Sequence, residues 1–381
     1  MKICVYAICK NESKFVEQWL DSMQEADYIV VLDTGSTDDT YKKLKADKRV
    51  TVVKKQVIKP WRFDVARNES MKLIPNDADI LVCTDLDELF EPGWANIIRE
   101  VYKQNPLVNR IYYRYAWSHN EKGEPQDVFT YGKIHDRNYH WVFPVHEVIY
   151  RNTEDFTPNE IDVGSDIYLH HYPDKTKQRG FYMDLLKLAC EENPDNSHIW
   201  MLYARELYIQ GLKEESLNAF LDVLRMPEVE HPLRREVLLN SLLQVALIYE
   251  ELKNYDEALW YCQEFIKEDR TFREPYLIMA EVYCDMNMPT LAEGCIEMAK
   301  KYSYQHYSWV ERSTTWTNLL EDVESICKHK LGEFKEAYEL SLKALEHEPT
   351  DERLLINCNE FAKDYIKELQ NKLSNDAKLN D

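Results

Sequence analysis

The sequence predicts two folds in succession: an α/β domain on a mostly parallel central sheet, then an all-α helical repeat domain. Three observations predict this. Over roughly the first 90 residues, short apolar runs alternate with amphipathic segments, the order that builds parallel β-α-β units. After about residue 195 the strand signals stop and a pattern of small and aromatic residues recurs. Ala246 and Ala280 are 34 residues apart, as are Ala258 and Ala292. Glycine is scarce, nine in the whole chain, against a usual share of about 7%. That suits a large helical portion, where glycine costs stability.

Taken in order, residues 3–8 read as a buried strand. Residues 10–23 place Phe15, Val16, Trp19, Leu20 and Met23 on one helical face. Residues 28–32 form a second strand, and Ser36 to Thr40 offer caps for the next helix. A strand over 50–53, a helix over 64–73 and a strand over 80–83 complete the series. Residues 95–170 are richer in aromatics, with added strands at 110–115, 139–142, 147–150 and 166–169. The repeats follow the tetratricopeptide pattern: Trp200, Tyr203, Ala204, Leu207 and Gly211 in the first, Gly332, Ala337, Tyr338 and Ala344 in the last. Four repeats are expected. The predicted boundaries are 1–190 for the α/β domain, 195–365 for the repeats and 366–381 for a charged, fraying tail.

The formal charge of −21 argues against nucleic acid or an anionic membrane as the main partner, since both select basic surfaces. No apolar stretch reaches the length of a membrane span. The start, Met1-Lys2 followed at once by a strand, does not read as a secretory leader. Nine scattered cysteines without a C-x-x-C pair read as reduced, buried thiols, and a cytoplasmic location is expected.

The chemistry-bearing residues cluster at strand ends, where ligands of such sheets bind. Asp85 and Asp87, in Asp85-Leu86-Asp87-Glu88, offer hard oxygen ligands for a divalent cation on a diphosphate. Asp33 ends the second strand, before Gly35, which permits a sharp turn. Arg67 and Asp64 open the third helix, where Arg67 suits a diphosphate and Asp64 a ribose, or the two pair with each other. His146 and Glu147 offer a metal ligand and a base. His170-His171 closes another strand, where alternation leaves one ring for a metal or phosphate and the other for structure.

Together these stretches resemble the family 2 glycosyltransferases of GT-A fold. Ile8 to Glu12, Val31 to Asp38, Phe63 to Asn68 and Thr84 to Glu88 occur in that family's order and spacing. Val145-His146-Glu147 with the later His170-His171 is similar to a subgroup that includes lipopolysaccharide-core glucosyltransferases and bacteriocin S-glycosyltransferases. The latter also carry helical repeats behind the catalytic domain. Their N-terminal extension has no counterpart here, so their peptide substrate is not carried over. The resemblance implies a nucleotide-sugar donor, UDP-linked, an inverting hexosyl transfer and a Mn²⁺ or Mg²⁺ ion. It places Asp33, Asp64, Arg67 and Asp85 at the donor, and Asp85, Asp87 and His146 at the metal. No clean copy of the family's later acidic pair is present, so Glu147 and then Glu88 are the candidates for the base. Thr34 stands where many relatives have a further acid.

The acceptor is expected to be a protein, peptide or glycan. The repeats either hold it, make a homodimer, or only prop the catalytic domain. A competing reading is a repeat scaffold with a silent nucleotide-sugar fold, but a silent copy can lose its carboxylates at no structural cost, and here they are present. A nucleotidyltransferase would carry a glycine-rich loop after the first strand, and Cys9-Lys10-Asn11-Glu12 has none.

Overall fold

The computed structural model describes residues 1–120, 122–153, 157–174, 180–227 and 234–379, with side chains to 375. It divides into two compact units, Met1–Pro194 and Asp195–Asp381.

The first unit runs β1 (Ile3–Cys9), α1 (Val16–Met23), β2 (Tyr28–Asp33), α2 (Thr40–Ala46), β3 (Val52–Lys55), α3 (Phe63–Met71), β4 (Ile80–Cys83), β5 (Glu88–Phe90) and α4 (Trp94–Gln104). It continues through β6 (Arg110–Ala116), β7 (Val128–His135), β8 (Tyr139–Val142), β9 (Val148–Arg151), β10 (Glu160–Asp162), β11 (Tyr168–His171) and α5 (Tyr182–Glu192). The main sheet has the order β3-β2-β1-β4-β7-β6-β11-β5, with β10 also on β6. All seven residues of β1 are buried. Alternate side chains enter opposite cores: Ile3, Val5 and Ala7 join Trp19 and Leu20 of α1, while Cys4 and Tyr6 join Trp141 and Ile149. A strand covered on both faces reads as one continuous apolar run.

The sheet is mixed, with parallel pairings in the majority, five of eight among the described strands. β1 to β4 are mutually parallel, but β7 lies antiparallel between β4 and β6, and β5 antiparallel on β11. β7 was not anticipated because it buries Lys133 and His135, so its inward residues are not the apolar ones that mark a strand. The first helix starts at Val16 rather than Lys10. Asn11 takes a left-handed conformation, φ 56°, and is knitted to the loop after β2. Its amide donates to Ser36 Oγ at 2.9 Å, and its side-chain oxygen accepts from the Thr37 amide at 2.7 Å.

The second unit is helical: α6 (Ser197–Ile209), α7 (Lys213–Arg225), α8 (Arg234–Glu251), α9 (Tyr255–Glu268), α10 (Glu274–Asp285), α11 (Pro289–Lys301), α12 (Leu319–Leu331), α13 (Phe334–His347) and α14 (Glu352–Leu379). Consecutive helices pair as α6–α7, α8–α9, α10–α11 and α12–α13. Small residues sit where helices meet: Ala246, Ala258, Ala280 and Ala292 are all fully buried. The stretch read as a fraying tail continues α14 to Leu379; Asn380 and Asp381 lie outside the described residues. Among the described residues no helix is long and apolar enough to cross a membrane, and all nine cysteines are free thiols.

Candidate active site

The carboxyl ends of β2 and β4 carry Asp33 and the Asp85–Asp87 turn. Asp33 is fully buried. Its Oδ1 accepts the amides of Gly35 and Ser36 at 2.9 and 2.7 Å, and Gly35 stands at φ 122°. This geometry excludes most side chains. Asp33 therefore builds the loop that follows β2.

Arg67 is the hub. Its guanidinium, 4% exposed, lies 3.0 Å from Asp85 Oδ1 and 2.5 Å from Glu147 Oε1. It donates to Cys83 Sγ and lies 5.0 Å from the Trp141 ring. A residue of α3 thus ties the end of β4 to the segment before β9. Burial alone would push the Asp85 carboxyl up, but Arg67 and Lys133 hold it well below the usual carboxylate range. Asp64 does not pair with Arg67. It takes a two-pronged contact from Arg62, at 3.1 and 2.9 Å, and Arg62 reaches on to Glu192 of α5.

Glu88 is enclosed, 2% exposed. Its Oε2 accepts the Asp85 amide at 2.9 Å, and its Oε1 accepts the Tyr115 hydroxyl at 2.8 Å and Lys133 Nζ at 3.2 Å. Burial pushes its carboxyl up. The cost of burying Lys133 is outweighed by Glu88, Tyr131 and Asp85, which keep its ammonium protonated. Through these contacts Glu88, the second candidate for the base, pins the acidic turn.

Asp87 faces His171 rather than His146. The β11–β5 register sets His171 opposite Glu88, and the next amide, of Tyr172, donates to the Asp87 carbonyl at 2.8 Å. His171 Nε2 then lies 3.6 Å from Asp87 Oδ2, long for a hydrogen bond. Its Nδ1 points at the Trp117 carbonyl at 3.2 Å and stacks its ring on the Trp117 indole at 4.5 Å. A carbonyl can only accept, so Nδ1 carries a proton and the ring presents its Nε2 to Asp87. That second contact fixes the tautomer a metal ligand needs. Burial opposes protonation of His171, but Asp87 and Glu88 raise its pKa overall.

A carboxylate and an imidazole form a donor set that suits a transition-metal dication such as Mn²⁺ better than an all-oxygen ion. Among the described residues, no three His, Cys, Asp or Glu side chains are gathered as a ready-made metal cage. The expected trio of Asp85, Asp87 and His146 is therefore not assembled. His146 is exposed at φ 48°, its ring 6.0 Å from that of Tyr182. His170, next to His171, turns away to meet His119 and Glu91 at 2.9 and 3.0 Å. Strand alternation signals that only one of the two histidines faces the site. Lys133, Tyr115 and Trp117 carry no such signal, because their partners lie far off in sequence.

No curated protein matches this chain. It is similar to the solved structures of a thermophilic tetratricopeptide-repeat protein of Thermus thermophilus and of a tetratricopeptide-repeat protein from Parabacteroides merdae. The first shows 18% identity, covers 48% of this chain and 89% of that one, and has a TM-score of 0.36. The second shows 15% identity, covers 49% and 67%, and has a TM-score of 0.38. The family model for glycosyl transferase family 2 matches residues 4–211. That stretch is more than half of the chain and contains every strand and every site residue described above, and the protein belongs to glycosyltransferase family 2.

Proposed function

We propose that the first unit moves a sugar from a nucleoside-diphosphate sugar, of the UDP type, to an acceptor hydroxyl with inversion. The observation that carries this is the pairing of Asp87 with a tautomer-fixed His171 beside the Arg67-anchored Asp85. Asp87 and His171 would hold a Mn²⁺-class ion, and the diphosphate and water would supply its remaining ligands. When bound, such an ion supplies charge to the departing diphosphate.

The chain's own residues do the rest. Asp33 and the Asn11-knitted loop shape the nucleoside end. Arg67 holds Asp85 ionised and orients Glu147. Glu147 is the candidate to take the acceptor proton as the new bond to the anomeric carbon forms and the diphosphate leaves with the electron pair of the old one. Asp64 acts with Arg62 to fix the start of α3. The acceptor is a glycan, peptide or protein hydroxyl.

A hydrolysis screen of UDP-, GDP- and dTDP-sugars with Mn²⁺ tests the reading. At least one donor is expected to turn over, to need the metal, and to lose turnover by 100-fold or more in Asp87→Ala. If no donor binds or turns over with or without metal, the reading fails.

A further inference from the structure

The helical repeat carries an interruption. α9 and α11 start 34 residues apart, at Tyr255 and Pro289, whereas α11 and α13 start 45 apart, at Pro289 and Phe334. The extra chain lies in residues 302–318, between α11 and α12, and it folds back onto the first helices of the earlier pairs. The Trp309 ring meets His198 of α6 at 6.0 Å, and its carbonyl accepts from Asn240 of α8 at 3.5 Å. Val310, 2% exposed, enters the core formed by Leu239 and Leu243 of α8 with Ile278 and Val282 of α10. His306 stacks on Phe272 at 4.2 Å. The Arg312 amide donates to Glu274 of α10 at 3.3 Å.

This segment has the character of a bound peptide. Its own fold is local: Glu311 accepts the amides of His306 and Ser308 and the indole of Trp316 at 2.9, 3.0 and 3.1 Å. Its charge complements the surface it covers, since Arg312 acts on Glu250 of α8 and Glu281 of α10. Its seat is incomplete. Buried atoms along the seam lack a hydrogen-bond partner among the described residues: Glu274 Oε2, Asn240 Oδ1, Ser241 Oγ, Arg312 Nη1 and Thr314 Oγ1. A cavity of about 220 Å³ also remains between Arg235, Leu239, Phe272 and His306. Buried groups left unpaired disfavour the docked arrangement, so a ligand that pairs them better would displace the segment.

We propose that the face made by α6, α8 and α10 docks an extended peptide carrying an arginine two residues after an apolar one, as Arg312 follows Val310. Residues 302–318 are its resident occupant in cis and compete with that partner. The inference stands on the repeat unit and does not depend on the chemistry of the first.

The test uses the full chain and a labelled synthetic peptide of residues 302–318. In Arg312→Glu the tethered segment meets Glu250 and Glu281 with the wrong charge, which frees the face. The peptide is expected to bind this variant at least tenfold more tightly than the wild type or Arg312→Lys. A peptide bearing the same Arg312→Glu change should bind none of them. Equal binding to all three proteins, or binding to none while circular dichroism shows the variant folded, overturns the proposal. So does a stable dimer formed by exchange of the segment, which would make a second copy the partner. Should Arg312→Glu not fold, hydrogen exchange on the wild type decides. Amides of 302–318 should exchange at least tenfold faster than those of α8 and α10, and faster still with excess peptide. Exchange only in step with those helices would make the segment a fixed part of the core and overturn the proposal.

Discussion

Arg67 shows how one residue sets the character of the site. The sequence placed it at a diphosphate, and in the structure its guanidinium meets Asp85 and Glu147. Removing one partner of a buried ionic cluster strands the others in a poor solvent for charge. Arg67→Ala is therefore expected to destabilise the first unit by about 3–5 kcal/mol, read from its denaturant unfolding. Arg67→Lys should recover only part of this, because a single ammonium cannot serve two carboxylates at the angles a planar fork reaches. The sequence marked Arg67 as important from its place at a helix start, but its partners sit 18 and 80 residues away, a distance that no local pattern bridges. Asp64, two residues from Arg62, takes its two-pronged contact from that neighbour rather than from Arg67.

The element that matters most is the turn from β4 into β5. Its apolar run and its carboxylates were legible, because a doubly covered strand and its acidic end leave a plain signature in Ile80 to Asp87. The role of Glu88 was not. In a tetrad of Asp-Leu-Asp-Glu the acids look alike, and what separates them is a lysine on β7 that pairs with one only. Glu88→Gln should leave the Lys133 charge unpaired in the interior and lower stability by about 3–5 kcal/mol. Adding Lys133→Met should restore most of the loss, and a double-mutant cycle on unfolding free energies measures the coupling. β7 itself escaped notice because Lys133 and His135 fill inward positions, and with it went the mixed character of the sheet. His171 was half legible: alternation required one of the two histidines to face the site, but only the β11–β5 register decides which.

At the scale of the whole molecule, the two compact units carry separate physical signatures. The helical repeat was readable from its 34-residue period, which is intrinsic to stacked helix pairs. The inserted segment was not, because it breaks the period and has no helix of its own beyond a single short turn at Ser313–Trp316. The repeat unit should also show an inverted pH response. Glu274, 1% exposed, has its carboxyl pushed up by burial to about 7, from an ordinary value of 4.5. Between those values the folded chain keeps a proton that the unfolded chain has released. This group's contribution to stability is thus full below about pH 4.5 and is lost as pH rises towards 7, at about 1.4 kcal/mol per pH unit. Burial also pushes the Glu281 carboxyl up to about 7, so Glu274→Gln should reduce that slope by Glu274's share and leave Glu281's, as measured by denaturant unfolding of the full chain across pH 5 to 7.5.

His171, rather than His146, is expected to complete the acidic turn as a cation and diphosphate site. Calorimetric titration of Mn²⁺ with UDP into the full chain tests it directly in four proteins: wild type, Asp87→Ala, His171→Ala and His146→Ala. Metal-dependent UDP binding is expected in the wild type and His146→Ala, with a loss of 10-fold or more in Asp87→Ala and His171→Ala. Full binding by His171→Ala together with loss in His146→Ala would contradict it.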